Sequence, residues 1–207
     1  MEMSDTADIF YEMKFFIKTH KNERKRGKCF MEVLSNLDGN ILLWIQENIR
    51  TDFLTPLVVF ITSLGNSGAI WIAAAVAMLF HPRSRKAGIL TLLALLGSLL
   101  INNMLLKNAV ARPRPWTSVE GLQILISKPG GFSFPSGHTS SSFAAAVVMF
   151  KNLPRKLGVP AMVLAVMIGL SRLYVGVHYP TDVLCGALMG TCIALVVCWG
   201  AERALKK

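Results

Sequence analysis

Four stretches of this chain carry no charged residue over lengths that approach or exceed what a bilayer crossing needs. They are residues 53–80, 88–106, 157–171 and 183–201. A hydrocarbon core of about 30 Å takes roughly 20 helical residues, and lipid accepts such runs only as helices or closed barrels, because every backbone polar group must be bonded internally. A fifth run, residues 137–150, is shorter and lies between Pro135 and Lys151. It reads as a helix opening at a Ser/Gly cap. The expected fold is therefore all-α, an integral membrane bundle of about five transmembrane helices. Charge placement agrees: nine of the twelve carboxylates lie in residues 1–52, and between Asp52 and Glu202 only Glu120 and Asp182 remain. Gly65-Asn66-Ser67-Gly68 breaks the first run and predicts a bend there.

Three parts follow: residues 1–52 as an N-terminal segment, 53–201 as the transmembrane domain, and 202–207 as a basic tail. In the first, Ile9, Phe10, Met13, Phe16 and Ile17 form one apolar helical face, and Leu37, Ile41, Trp44, Ile45 and Ile49 another. Both predict amphipathic helices lying in the interface. The formal charge of +10 sits in short clusters between the apolar runs, without an aromatic basic stripe or zinc-finger spacing, so no nucleic-acid partner is expected. Arg83, Arg85 and Lys86, then Lys151, Arg155 and Lys156, then Arg203, Lys206 and Lys207 all fall on one side of a five-span bundle. That side is expected to be cytoplasmic, which makes this a multi-pass protein of the cell membrane. The same count puts the basic run at residues 21–28 on the opposite side. A sixth crossing through residues 29–49 would reverse this at the cost of burying Glu32, Asp38 and Glu47.

Three polar clusters interrupt the apolar chain, all on the extracytoplasmic side. The first is Lys107 followed by Arg112-Pro113-Arg114-Pro115. Each proline disfavours helix in the residue before it. Both arginines are then extended, share a face and can address one anion, for which the planar guanidinium is suited. The second is Pro135-Ser136-Gly137-His138, where Ser136 is an N-cap candidate and the helix start an anion site. The third is Ser171-Arg172, then His178, then Asp182, placed to hold one tautomer of the imidazole. Taken singly, these read equally well as lipid-headgroup anchors, a simple cap and a local hydrogen bond. Together they put ionisable groups at membrane depth, where such groups are functional by default.

Lys107 with Arg114-Pro115, Pro135-Ser136-Gly137-His138, and Ser171-Arg172 with His178 and Asp182 resemble, in order and spacing, the three signature motifs of the type-2 phosphatidic acid phosphatase superfamily. The resemblance covers roughly residues 53–200. It implies that Lys107, Arg114 and Arg172 hold a phosphate with help from Ser136 and Gly137. It further implies that His178 attacks phosphorus, Asp182 orients it and His138 protonates the leaving group, with no metal and no cofactor. Arg112 lies outside the motif and is a further candidate. The implied activity is hydrolysis of a lipid phosphomonoester or diphosphate through a phosphohistidine. The short form resembles bacterial undecaprenyl-diphosphate phosphatases, whose substrate belongs to cell-wall synthesis. Phosphatidylglycerophosphate and phosphatidate are the alternative substrates, and a non-catalytic lipid-phosphate binder or transporter is the alternative class. Leu122, Ile124, Leu125 and Ile126 are expected to contact the lipid chain. Nothing in the sequence sets an oligomeric state.

Overall fold

The computed structural model describes residues 34–204 and divides the chain into two units, residues 1–40 and residues 41–207. In the first unit, residues 34–40 are helical; the apolar face at Ile9–Ile17 lies outside the described residues. In the second unit, residues 41–48 form α1, and Ile41, Trp44 and Ile49 are exposed. The chain then runs through α2 (Leu54–Leu64), a short 3-10 turn (Asn66–Gly68), α3 (Ala69–Leu79) and α4 (Arg85–Ser98). α4 continues as a π-helical stretch (Leu99–Leu106) into the single turn α5 (Lys107–Val110). After a long loop come α6 (Gly137–Asn152), α7 (Arg155–Tyr174) and α8 (Pro180–Ala204). No strand occurs among the described residues.

Three of these helical runs are long and apolar enough to cross a membrane: Arg85–Thr117, Arg155–Tyr174 and Pro180–Ala204. α2 and α3 pass the same test as a pair bent by 49°, giving four. The bend falls at the expected Gly-Asn-Ser-Gly break, where Ser67 (φ 51°) and Gly68 (φ 69°) leave the helical region. The expected fifth crossing differs. α6 has 16 residues, about 24 Å at 1.5 Å per residue, short of the ~30 Å core. It is nonetheless a centre of the bundle, with Ala144, Ala145, Ala146 and Val148 fully buried between α4, α7 and α8.

Small residues set the helix spacing. A Cβ on Gly190 would lie 2.3 Å from the Ser140 carbonyl oxygen, and one on Gly186 would lie 2.7 Å from that of Ser136. α6 and α8 therefore touch backbone to backbone, as lipid-embedded helices do where small residues face each other. Trp71 donates from Nε1 to Ser142 Oγ (2.9 Å), and the Ser98 and Ser140 hydroxyls bond at 2.8 Å. α4 and α7 end where α6 and α8 begin, so Lys107, Ser136, His138, Arg172, His178 and Asp182 gather at one end of the bundle. The clusters at Arg85, Arg155 and Arg203 fall at the other end.

Candidate active site

His178 follows α7 by a tight turn in which Gly176 adopts φ 77°. A Cβ there would meet Arg50 Nη2 at 2.8 Å and the Gln123 carbonyl oxygen at 2.9 Å, so only glycine fits. Arg50 binds the carbonyls of Tyr174 (2.8 Å) and Gln123 (2.7 Å), tying α1 and the long loop to this turn. The imidazole is 2% exposed. Its Nδ1 lies 3.4 Å from Asp182 Oδ2 and its Nε2 lies 3.1 Å from Arg114 Nη1. A guanidinium can only donate. Nε2 must then present its lone pair, and the proton resides on Nδ1, facing the carboxylate. Burial first, then the positive charges of Arg114 and Arg172, push the His178 pKa down to about 4 against the opposing pull of Asp182. The direction of the shift favours the neutral ring, which keeps a lone pair on Nε2.

Arg114 is buried and held by the carbonyls of Gly130 (2.9 Å), Gly131 (3.1 Å) and Val177 (3.1 Å). Arg172, 2% exposed, donates from Nη1 to Thr62 Oγ1 (2.7 Å), while its Nε has no partner. A buried cation with an unsatisfied donor is costly and is suited to an anion. Ser136 caps α6 as expected: its Oγ accepts from the Thr139 hydroxyl (2.9 Å) and backbone N–H (3.5 Å). Fully buried, it does not line the cavity described below. Gly137 does line it, and a Cβ there would come within 2.8 Å of Asn103 Oδ1. His138 Nε2 lies 3.0 Å from Asn66 Oδ1, across from the α2–α3 break. Gly65 gives the ring its space, since a Cβ there would lie 2.8 Å from His138 Cδ2.

A cavity of about 690 Å³ unites these groups. Lys107, Arg114, Gly137, His138, Arg172 and His178 line its polar end, and Ile72, Leu92, Leu95, Leu96 and Leu99 form an apolar trough between α3 and α4. Among the described residues no cluster of three or more His, Cys, Asp or Glu side chains could hold a metal ion.

Two expectations need correction. The extended-chain rule put Arg112 beside Arg114 on one anion, yet Arg112 does not line the cavity and instead binds Asp182 Oδ1 and Thr181 Oγ1, both at 2.7 Å. Arg114 points the other way because its fork is claimed by the carbonyls of residues 130, 131 and 177. The loop aliphatics Ile124, Leu125 and Ile126 pack with Trp116 against Tyr174, Val175 and Val177. They form a small core beneath the loop; the apolar wall of the cavity comes from α3 and α4. Asn66, Ser133, Thr181 and Thr62 also take part, and no motif contains them. Only Asn66 carried a signal, the helix break, and that read simply as a bend.

Comparison with known proteins places the chain in a family. The model of the PAP2 superfamily matches residues 87–205, and the chain belongs to that family. It is 32% identical to an undecaprenyl-diphosphatase of Sulfolobus acidocaldarius over 69% of this chain and 68% of the relative. It is also 32% identical to the undecaprenyl-diphosphatase BcrC of Bacillus subtilis, over 70% of this chain and 71% of that one. Among solved structures, the transmembrane PAP2-type phosphatidylglycerolphosphate phosphatase of Bacillus subtilis superposes with a TM-score of 0.68 at 28% identity. That alignment covers 84% of this chain and 94% of the other.

Proposed function

We propose that this protein is a metal-independent lipid phosphatase that hydrolyses undecaprenyl diphosphate at the extracytoplasmic face of the cell membrane. The observation that carries the reading is the two-ended cavity. Three cations and two histidines stand at one end, and an aliphatic trough runs from them along α3 and α4. That shape fits a phosphorylated headgroup attached to a long hydrocarbon.

The chemistry follows from the geometry. Lys107, Arg114 and Arg172 hold the phosphate and stabilise the charge spread over its equatorial oxygens during transfer. Their charges serve where a divalent metal would. Nε2 of His178 attacks phosphorus while Asp182 holds Nδ1–H. The bond to the leaving oxygen breaks, and His138 gives that oxygen a proton. His138 shares its cavity with three cations and no carboxylate, so the substrate's own negative charge is what keeps it protonated. Water then attacks the phosphohistidine, giving up a proton to His138, and the N–P electron pair returns to Nε2.

Purified protein assayed for phosphate release on undecaprenyl diphosphate, phosphatidylglycerophosphate and phosphatidate tests the reading. Undecaprenyl diphosphate should show the highest kcat/KM, unchanged by excess chelator and abolished by vanadate, which mimics five-coordinate phosphorus. Activity lost to chelator and restored by magnesium would remove the metal-free mechanism. Phosphatidylglycerophosphate is the second reading, favoured by the superposition over 94% of the phosphatidylglycerolphosphate phosphatase. A higher kcat/KM on that lipid would select it.

A further inference from the structure

Asp182 is fully buried, and both of its oxygens are faced by donors. Oδ1 takes Arg112 Nη1 at 2.7 Å. Oδ2 takes the Tyr179 N–H at 2.9 Å, the Ser133 hydroxyl, and His178 Nδ1 at 3.4 Å. The bond to His178 is the longest of the four. Arg112 is itself fixed, because its guanidinium stacks 3.8 Å above the Tyr179 ring and also binds Thr181. Its carbonyl accepts from Ser133 N–H at 2.8 Å, so both ends of the long loop close on the same carboxylate.

We propose that Arg112 is a positioning residue that acts on the second half of the reaction, by preventing Asp182 from taking the Nδ1 proton of phosphorylated His178. The inference rests on the phosphohistidine reading above. When Nε2 bonds to phosphorus, the imidazole keeps its proton on Nδ1 and gains a positive charge. In that state water attack breaks the N–P bond and the electron pair returns to a neutral imidazole. If the proton passed to Asp182, the departing group would be an imidazolate, and the second step would slow. A guanidinium only donates, so Oδ1 opposite Arg112 stays an acceptor. The Arg112 cation beside Oδ1, with Ser133 and Tyr179 donating to Oδ2, stabilises the ionised carboxylate, so the proton stays on Nδ1. A group that merely held Asp182 in place would instead be felt in the first step, when His178 attacks.

The two roles separate by measuring the covalent intermediate. Wild type, Arg112→Ala, Arg112→Gln and His178→Ala would be turned over with farnesyl diphosphate labelled in the terminal phosphate, and with p-nitrophenyl phosphate. Alkaline quenching, which preserves phosphohistidine, gives the labelled fraction. Arg112→Gln keeps an N–H donor without the charge and guards against collapse of the loop in the alanine variant. The expected result for both Arg112 variants is a kcat reduced at least tenfold with a labelled fraction above wild type. Their kcat values should also converge on the two substrates, because both give the same phosphohistidine once the leaving group has departed. A labelled fraction that falls in step with kcat, or variants equal to wild type in both, would overturn the proposal. Absence of label in wild type would overturn the covalent reading itself, and the Arg112 role with it.

Discussion

Asn66 is the sharpest place to test whether His138 works as an acid. It is a neutral residue at the break between α2 and α3, and its Oδ1 is 3.0 Å from His138 Nε2. Replacing it with alanine removes the acceptor that orients the ring and that bonds to the imidazolium. A hydrogen bond to a charged group contributes about 1.5–3 kcal/mol. Asn66 is exposed, which favours the low end, and about 1.4 kcal/mol corresponds to a tenfold change in rate. Asn66→Ala should thus lower kcat/KM about tenfold on substrates with an alkoxide leaving group, such as phosphatidate. p-Nitrophenyl phosphate leaves without an acid, so its hydrolysis should change less than twofold. Asn66→Asp keeps an acceptor and should retain more activity on phosphatidate than the alanine variant. Steady-state kinetics with both substrates, alongside His138→Ala as the reference for loss of the acid, is the assay. An equal loss on the two substrates would refute the reasoning, since it would show that Asn66 supports the site generally and not the acid.

Two further outcomes follow from the same geometry. The His178 pKa lies near 4 in the folded protein and near 6.5 in an unfolded chain. The unfolded state therefore binds more protons between these values, and His178's contribution, on the order of 3 kcal/mol, is complete above pH 6.5 and lost as pH falls towards 4. The stability advantage of wild type over His178→Asn in thermal unfolding should shrink across that window, and a pH-independent difference would contradict the assignment. For orientation, Ser84→Cys lies beside the Arg83–Lys86 cluster and Ser118→Cys in the loop above the site. An impermeant thiol reagent on intact cells should label the second and spare the first, and the reverse pattern would invert the proposed topology.

The sequence exposed the helices because charge is expensive in lipid. Long uncharged runs stand out, and charged residues or prolines mark their ends. The same cost made the site legible, since Lys107, Arg114, Arg172, His138 and His178 stand at the ends of uncharged runs in a part of the chain nearly free of carboxylates, and all five line one cavity. Neutral polar residues carry no such flag. Ser133, Thr62 and Thr181 look like ordinary loop or helix residues until the fold brings them to Asp182, Arg172 and Arg112. Local rules also stop short of tertiary partners. Arg114 before its proline is extended as expected, but the directions of Arg112 and Arg114 were settled by Asp182 and by three backbone carbonyls. The apolar character of residues 124–126 predicted contact with something apolar, and it was the core at Val175 and Val177.

The close contact between α6 and α8 explains how three cations can be held together at one site. α6 begins at Gly137 and spans about 24 Å, whereas α8 runs for 25 residues. The two nonetheless begin level with each other, at the end of the bundle that holds the site. Lys107, Arg114 and Arg172 line one cavity there, where like charges repel one another and Arg172 Nε has no partner. Such a cluster persists only if the scaffold is stiff. The stiffness comes from Gly186 and Gly190, which leave no room for a side chain between α8 and the Ser136 and Ser140 carbonyls. Ser136 N–H also donates to the Asp182 carbonyl at 3.0 Å, joining the start of α6 to the start of α8. His138 stands on the first of these helices and His178 immediately precedes the second. On the proposed mechanism, acid and nucleophile are thus fixed to a single backbone contact, and the phosphate enters a charge arrangement that is already assembled.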